Sequence, residues 1–328
     1  MPFGSCERPP PAAPTPKYVF RSAAARPAFS TPPSFLPLYM SSPDPPRPTV
    51  EGNQALLFQY ALWLFVGAIS FSIAGMLLLR LVPSTMSFFG PMYTKLVKTP
   101  TWTFMTMLAL LPLLMYGPIL GRTRMILIAG WGCLIGGASE LIGTTGWLTL
   151  GGVALPFGGY EYTQWLGPKL AGHVPYFIPP SWFAMAIISL DLARRVTARR
   201  WPALFLGTLF MVLWDVSLDP AMNEAFPFWT YDVEGFFFGM PLSNWGGWAV
   251  VTFVILVGYE YIAGDRPIQN EWAPWVYALN CIFPLSICLL RDVYLAALIG
   301  SVTTLVPFLL LWWANPDALK RSIALLRT

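Results

Sequence analysis

Two aspartates four residues apart, Asp215 and Asp219, close an apolar run in the string Trp214-Asp215-Val216-Ser217-Leu218-Asp219-Pro220. On a helix this spacing stacks the two side chains on one side. Carboxylates held together near a bilayer resist double ionisation, so the pair is expected to retain a proton, which is what a general acid needs. Asp219 before Pro220 also fits an N-cap with proline at the first helical position, opening a short helix over 221–226. Glu140 is a third carboxylate within an apolar run. It calls for a functional reading at membrane depth, although its small neighbours (Gly136, Gly137, Ala138, Ser139, Gly143) also fit a tight helix contact. Glu161, in Gly159-Tyr160-Glu161-Tyr162, is the fourth candidate, with a solvated loop charge as its alternative.

Aromatic residues crowd the same stretches: Tyr160, Tyr162, Trp182, Trp214, Trp229, Trp245 and Trp248. Their faces stabilise a cation by about 2 kcal/mol or more when desolvated, and protonating a trisubstituted alkene creates a tertiary cation. An interfacial belt accounts for any one of these rings taken singly.

Other chemistries are poorly supplied. The single histidine, His173, cannot build a haem or diiron site, and it reads as a loop residue. The four cysteines (Cys6, Cys133, Cys281, Cys288) have no Cys-x-x-Cys spacing. Neither Gly-x-Gly-x-x-Gly nor a Walker string occurs. Carboxylates, rings and water remain, and no cofactor is expected. An alcohol made here would come from hydration and not from oxygenation.

The elements that must position these residues are membrane helices. Of the 328 residues 55% are hydrophobic and 11% charged, with mean hydropathy +0.57, whereas a soluble domain is about 25% charged. A spanning helix needs roughly 20 apolar residues, and the runs 56–79, 102–120, 125–142, 236–259, 272–290 and 293–314 qualify. Shorter runs at 176–190 and 201–218 bring the expectation to about eight spans. The fold class is therefore an all-α polytopic membrane protein, with residues 51–328 as a single transmembrane domain. Residues 1–50 hold 14 of the 33 prolines and read as a disordered extension, or as an over-extended start with Met40 as initiator.

With eight helices and a cytoplasmic N-terminus, the inner segments carry 15 of the 20 Lys and Arg residues. That asymmetry predicts a multi-pass cell-membrane protein with both termini inside. The net charge of +4 reflects the bias, and without a basic stripe it does not indicate nucleic acid. Once the helices alternate, Glu140, the 159–162 loop, Trp182, Asp215, Asp219, Trp229, Asn244 and Trp248 all fall on one membrane face, whichever way the chain is inserted. Asp191 and Glu260 fall on the opposite face, where Asp191 can pair with Arg194 or Arg195.

The set of motifs resembles the membrane-bound carotenoid biosynthesis family that contains the carotenoid 1′,2′-hydratases. The residues carrying the likeness are Glu140, Thr145-Gly146, Pro156-Phe157-Gly158, Tyr160-Glu161-Tyr162 and Leu166-Gly167-Pro168-Lys169. Further along they are Val174-Pro175, Ile178-Pro179 with Trp182, Trp214-Asp215 with Leu218-Asp219-Pro220, and Pro241-Leu242 with Asn244 and Gly247-Trp248. The resemblance implies cofactor-free hydration of the ψ end of lycopene, γ-carotene or a related polyene to a tertiary 1′-hydroxyl. In that scheme the Asp215/Asp219 pair protonates C2′, the rings shelter the C1′ cation, and Glu140, Glu161 or Asn244 positions the water. Implied partners are the carotenoid, the bilayer and other enzymes of the same pathway. Three alternatives stay open on the residues alone: a lycopene-type cyclase, an intramembrane prenyltransferase using Asp-x-x-x-Asp, and a carotenoid-binding or transport protein.

Overall fold

Where the chain meets lipid, its backbone polar groups have no water to bond, so apolar runs of this length must close their hydrogen bonds as helices. The computed structural model describes residues 52–232 and 235–327, and the 1–50 extension and the loop acid Glu234 lie outside the described residues. Its long helices are α1 (Asn53–Leu81), α3 (Tyr93–Leu120), α4 (Arg122–Thr145), α5 (Ile178–Val196), α6 (Arg200–Pro220), α7 (Leu242–Ala263), α8 (Ala273–Leu290) and α9 (Tyr294–Ala314). Two shorter helices, α2 (Thr85–Phe89) and α10 (Pro316–Ala324), complete the set. The protein is thus an all-α polytopic membrane protein of about eight spanning helices.

Seven of the long helices are apolar and long enough to cross a bilayer; α5 is the exception. Its second half carries Asp191, Arg194 and Arg195. The reason it tolerates them is position. It packs against α3, α4, α6, α7, α8 and α9, so it is the axis of the bundle, and protein partners take the place of lipid. Proline and glycine set the boundaries: Pro179 and Pro180 open α5, and Gly146, in the left-handed region at φ 63°, closes α4.

Two expectations are corrected. The apolar run from 236 does not begin a helix there. Pro241 lacks the amide proton an interior helical turn requires, so α7 starts at Leu242, and Gly235–Gly239 and Phe237–Met240 instead form isolated bridges. Nor does Asp219 cap a new helix. α6 runs through it and widens into a single π-turn over Ala221–Ala225, with no side-chain cap.

The sequence reading also missed three short antiparallel ribbons on the site's face of the bundle. They are β1 (Thr149–Leu150) with β2 (Val153–Ala154), β4 (Lys169–Leu170) with β5 (Val174–Pro175), and β3 (Tyr160–Tyr162) with β6 (Trp229–Tyr231). The last joins two loops that are far apart in sequence, and it is the piece that builds the site.

Candidate functional site

Side chains alternate across a strand, and the β3–β6 register turns that alternation into a surface. Tyr160 lies opposite Tyr231, Glu161 opposite Thr230, and Tyr162 opposite Trp229. Four hydrogen-bond donors therefore share the inward face, and Glu161 is turned outward, where it is exposed. Burial, and next to it the neighbouring carboxylates, holds the phenols of Tyr160, Tyr162 and Tyr231 well above the usual tyrosine range, so all three stay protonated donors.

Beneath this ribbon three carboxylates are buried. Glu140 on α4 accepts at Oε2 from the hydroxyls of Tyr160 and Tyr162, the latter at 2.8 Å, and at Oε1 from the indole of Trp182 at 2.7 Å. Asp219 on α6 accepts at Oδ1 from Trp229 (2.8 Å), and at Oδ2 from Tyr231 (2.8 Å) and from the amide of Asn244 (2.6 Å). The same amide nitrogen donates to Asp215 Oδ2 at 3.1 Å. Asp215 Oδ1 is buried with no partner.

Close helix approach makes this geometry possible. A Cβ on Gly136 would strike the Trp182 ring at about 2.6 Å, so only glycine lets α5 come near enough for its indole to reach Glu140. On α7, a Cβ on Gly247 would collide with the carbonyl of Pro156, so glycine there seats the 156–158 loop against the helix that presents Asn244.

The carboxylates line a narrow cavity of about 90 Å³, and among the described residues no Lys, Arg or His lines it. Its walls are aromatic. Trp182 and Trp248 have ring centroids 4.4 Å apart, Trp214 meets Trp248 edge-on at 5.8 Å, and Phe157 stacks on Trp182 at 5.7 Å. Phe104, Met105 and Leu108 of α3 and Phe283 of α8 close the other side.

Of the residues proposed from sequence, the structure brings together Glu140, Asp215, Asp219, Tyr160, Tyr162, Trp182, Trp214, Trp229, Asn244 and Trp248. It leaves Glu161 outside, and Trp245 packs instead against Phe236 and Phe237. His173 sits exposed in the turn between β4 and β5. Sequence reasoning missed Tyr231 and Asn280. Tyr231 stands two residues after Trp229, the strand period. Asn280 is a polar residue in the middle of an apolar span, which was sufficient signal.

Fold and site define a polytopic membrane protein that holds buried acids in an aromatic, cation-free cavity suited to an apolar substrate. The chain belongs to the carotenoid biosynthesis protein family, whose model matches residues 98–307. It is also similar to the bisanhydrobacterioruberin hydratase of Haloarcula japonica, 32% identical over 127 residues. That match covers 37% of this chain and 40% of the relative, so it spans well under half the length of either. No solved structure matches.

Proposed function

We propose that this protein is a carotenoid 1′,2′-hydratase, adding water across the terminal C1′–C2′ double bond of an acyclic ψ end group without a redox cofactor. One observation carries the reading: a buried carboxyl, Asp215, with an unengaged oxygen in an aromatic cavity, flanked by two carboxylates whose oxygens all receive donors. The likeness to a named hydratase supports the reaction type.

The roles follow from counting donors. An ionised carboxylate offers about four acceptor positions. Glu140 and Asp219 each receive three donors, which leaves each one position for a water. Asp215 receives one donor, on Oδ2, so its other oxygen is the place for a proton. In the proposed step that proton moves to C2′ as the π bond breaks, leaving a tertiary cation at C1′. The faces of Trp182, Trp214 and Trp248 stabilise it. The oxygen of a water held on Glu140 or Asp219 bonds to C1′ and gives up one proton to that carboxylate. Return of a proton to Asp215 resets the site, and the net change is one water added.

The prenyltransferase alternative is weaker. Such an enzyme needs a second Asp-rich motif on another helix to hold magnesium diphosphate, and the sequence has no Asn-Asp-x-x-Asp string. The charge asymmetry of the loops supports an orientation with both termini on the cytoplasmic side of the cell membrane and the site toward the outer leaflet.

The test is the mass of pigment from lycopene- or γ-carotene-accumulating cells that express the chain and grow without oxygen in heavy-oxygen water. The expected product is heavier by one water carrying the heavy oxygen. An isomer of unchanged mass with altered retention would replace hydration by cyclisation, and unaltered pigment would rule out both.

A further inference from the structure

A second, larger cavity of about 790 Å³ lies beside the acidic one, between the second half of α1, the first half of α3 and the end of α8. The two cavities share Thr101, Phe228 and Phe283 as a common wall. The acidic cavity takes the end of a chain and no more, so a long substrate that delivers its end to Asp215 must lodge the rest in an adjoining volume. The larger cavity has the size of a ligand site, within the roughly 300–1,000 Å³ that such sites occupy.

Resting on the hydratase reading, we propose that this cavity is the groove that binds the polyene chain, with Thr101, Phe228 and Phe283 as the threshold its end group crosses. The lining chemistry fits an uncharged hydrocarbon. Its length is apolar, with Phe71, Gly75, Leu79, Leu96, Val97 and Ile287. Its charged lining residues are Arg80, Glu224, Arg291 and Asp292, and all but Glu224 are engaged in hydrogen bonds of the fold. Arg80 donates to Asp292 at 2.6 Å and to the Leu290 carbonyl at 2.7 Å, and Arg291 donates to the Ala225 carbonyl at 3.0 Å.

The lining of α1 runs from Phe71 to Arg80, about 14 Å at 1.5 Å per residue. That is close to the depth of one hydrocarbon leaflet, about 15 Å. α1 is also the least buried of the spans, with Phe71 and Leu78 exposed. A membrane-dissolved polyene thus reaches the groove sideways, without leaving lipid.

Gly75 gives a clean test, because a Cβ built there meets nothing within 4 Å and points no clash at the backbone. Gly67, two turns earlier on the same helix, has equally open space but does not line the groove. Purified full-length protein in detergent would be titrated with lycopene, and bound pigment read by visible absorbance. Gly75→Trp is expected to weaken binding at least tenfold, and Gly67→Trp to leave it as in the unsubstituted protein. Leu96→Trp, on the facing helix, probes the same groove should Gly75→Trp fail to fold. Unchanged lycopene binding in the groove variants overturns the proposal. Loss of co-purified phospholipid, with lycopene binding intact, overturns it in favour of a lipid site. Failure of the hydratase reading looks different: pigment binds and Gly75→Trp abolishes the binding, but no water enters the product.

Discussion

Adjacent helices carry two pairs of ionisable side chains at the same i,i+4 spacing, and the pairs do opposite things. On α5, Asp191 and Arg195 bond at 2.6 Å with both side chains almost fully buried. Around them lies a balanced network: Tyr116 and the Asn270 amide also donate to Asp191, Arg195 and Arg321 reach Glu271, and Arg194 grips Glu260. On α6, Asp215 and Asp219 face the other end of the bundle, with Glu140 near them and neutral donors alone around all three. Buried tyrosines serve carboxylates at both ends, so burial and phenol donors do not separate the regions. Arginine does. Where opposite charges cancel, a buried carboxylate fixes helices in place. Where nothing cancels it, the like-charged pair has value chiefly for what it does with a proton.

The sharpest way to break this contrast is to neutralise Asp215. Asp215→Asn keeps the side chain's shape and its contact with Asn244, and removes the transferable proton. Hydration measured as product mass is expected to fall by about 10²–10⁴-fold, the usual contribution of a general acid. The thermal unfolding midpoint in detergent should stay level, because no ion pair is lost. Full activity in Asp215→Asn together with an inactive Asp219→Asn would transfer the acid role to Asp219 and undo the donor count.

The Asp191–Arg195 network should respond the other way. Arg195→Met leaves Asp191 without its cation and Glu271 with one fewer, and stranding a buried charge in this way costs about 3–5 kcal/mol. A clear drop in unfolding midpoint is expected, with turnover per folded molecule unchanged. A variant that keeps its midpoint and loses turnover would show that both ends of the bundle serve the reaction.

The helices were legible because bilayer thickness dictates run length, and because alternating spans force Glu140, Asp215, Asp219 and Asn244 to one face without any three-dimensional information. Of the two short runs, 201–218 lies within the apolar α6. The other, 176–190, falls on α5, an axial helix that hides its charges among protein neighbours and need not be continuously apolar. The β3–β6 ribbon was not legible. Its strands are three residues each and begin 69 residues apart, and their pairing is fixed by where α4 and α6 end, which no local pattern encodes. Tyr231 and the true orientation of the 160–162 segment were lost with it.

That ribbon supplies the smallest and most discriminating expectation. From sequence, Glu161 is as good a candidate as its neighbours, an acid between two tyrosines on the right face of the membrane. On a strand, a single step in sequence reverses direction: Tyr160 and Tyr162 reach Glu140, and the carboxylate between them faces out. Glu161→Gln should therefore change neither hydration nor the unfolding midpoint, the latter staying within about 0.5 kcal/mol of stability as surface substitutions do. Tyr162→Phe, one residue away, removes a donor to a buried carboxylate, a bond worth roughly 1.5–3 kcal/mol, so turnover should fall about tenfold or more. Equal effects from the two variants would mean that the register is shifted by one. The same shift would turn every donor on the ribbon away from Glu140 and Asp219, and the proton assignment built on those donors would fall with it.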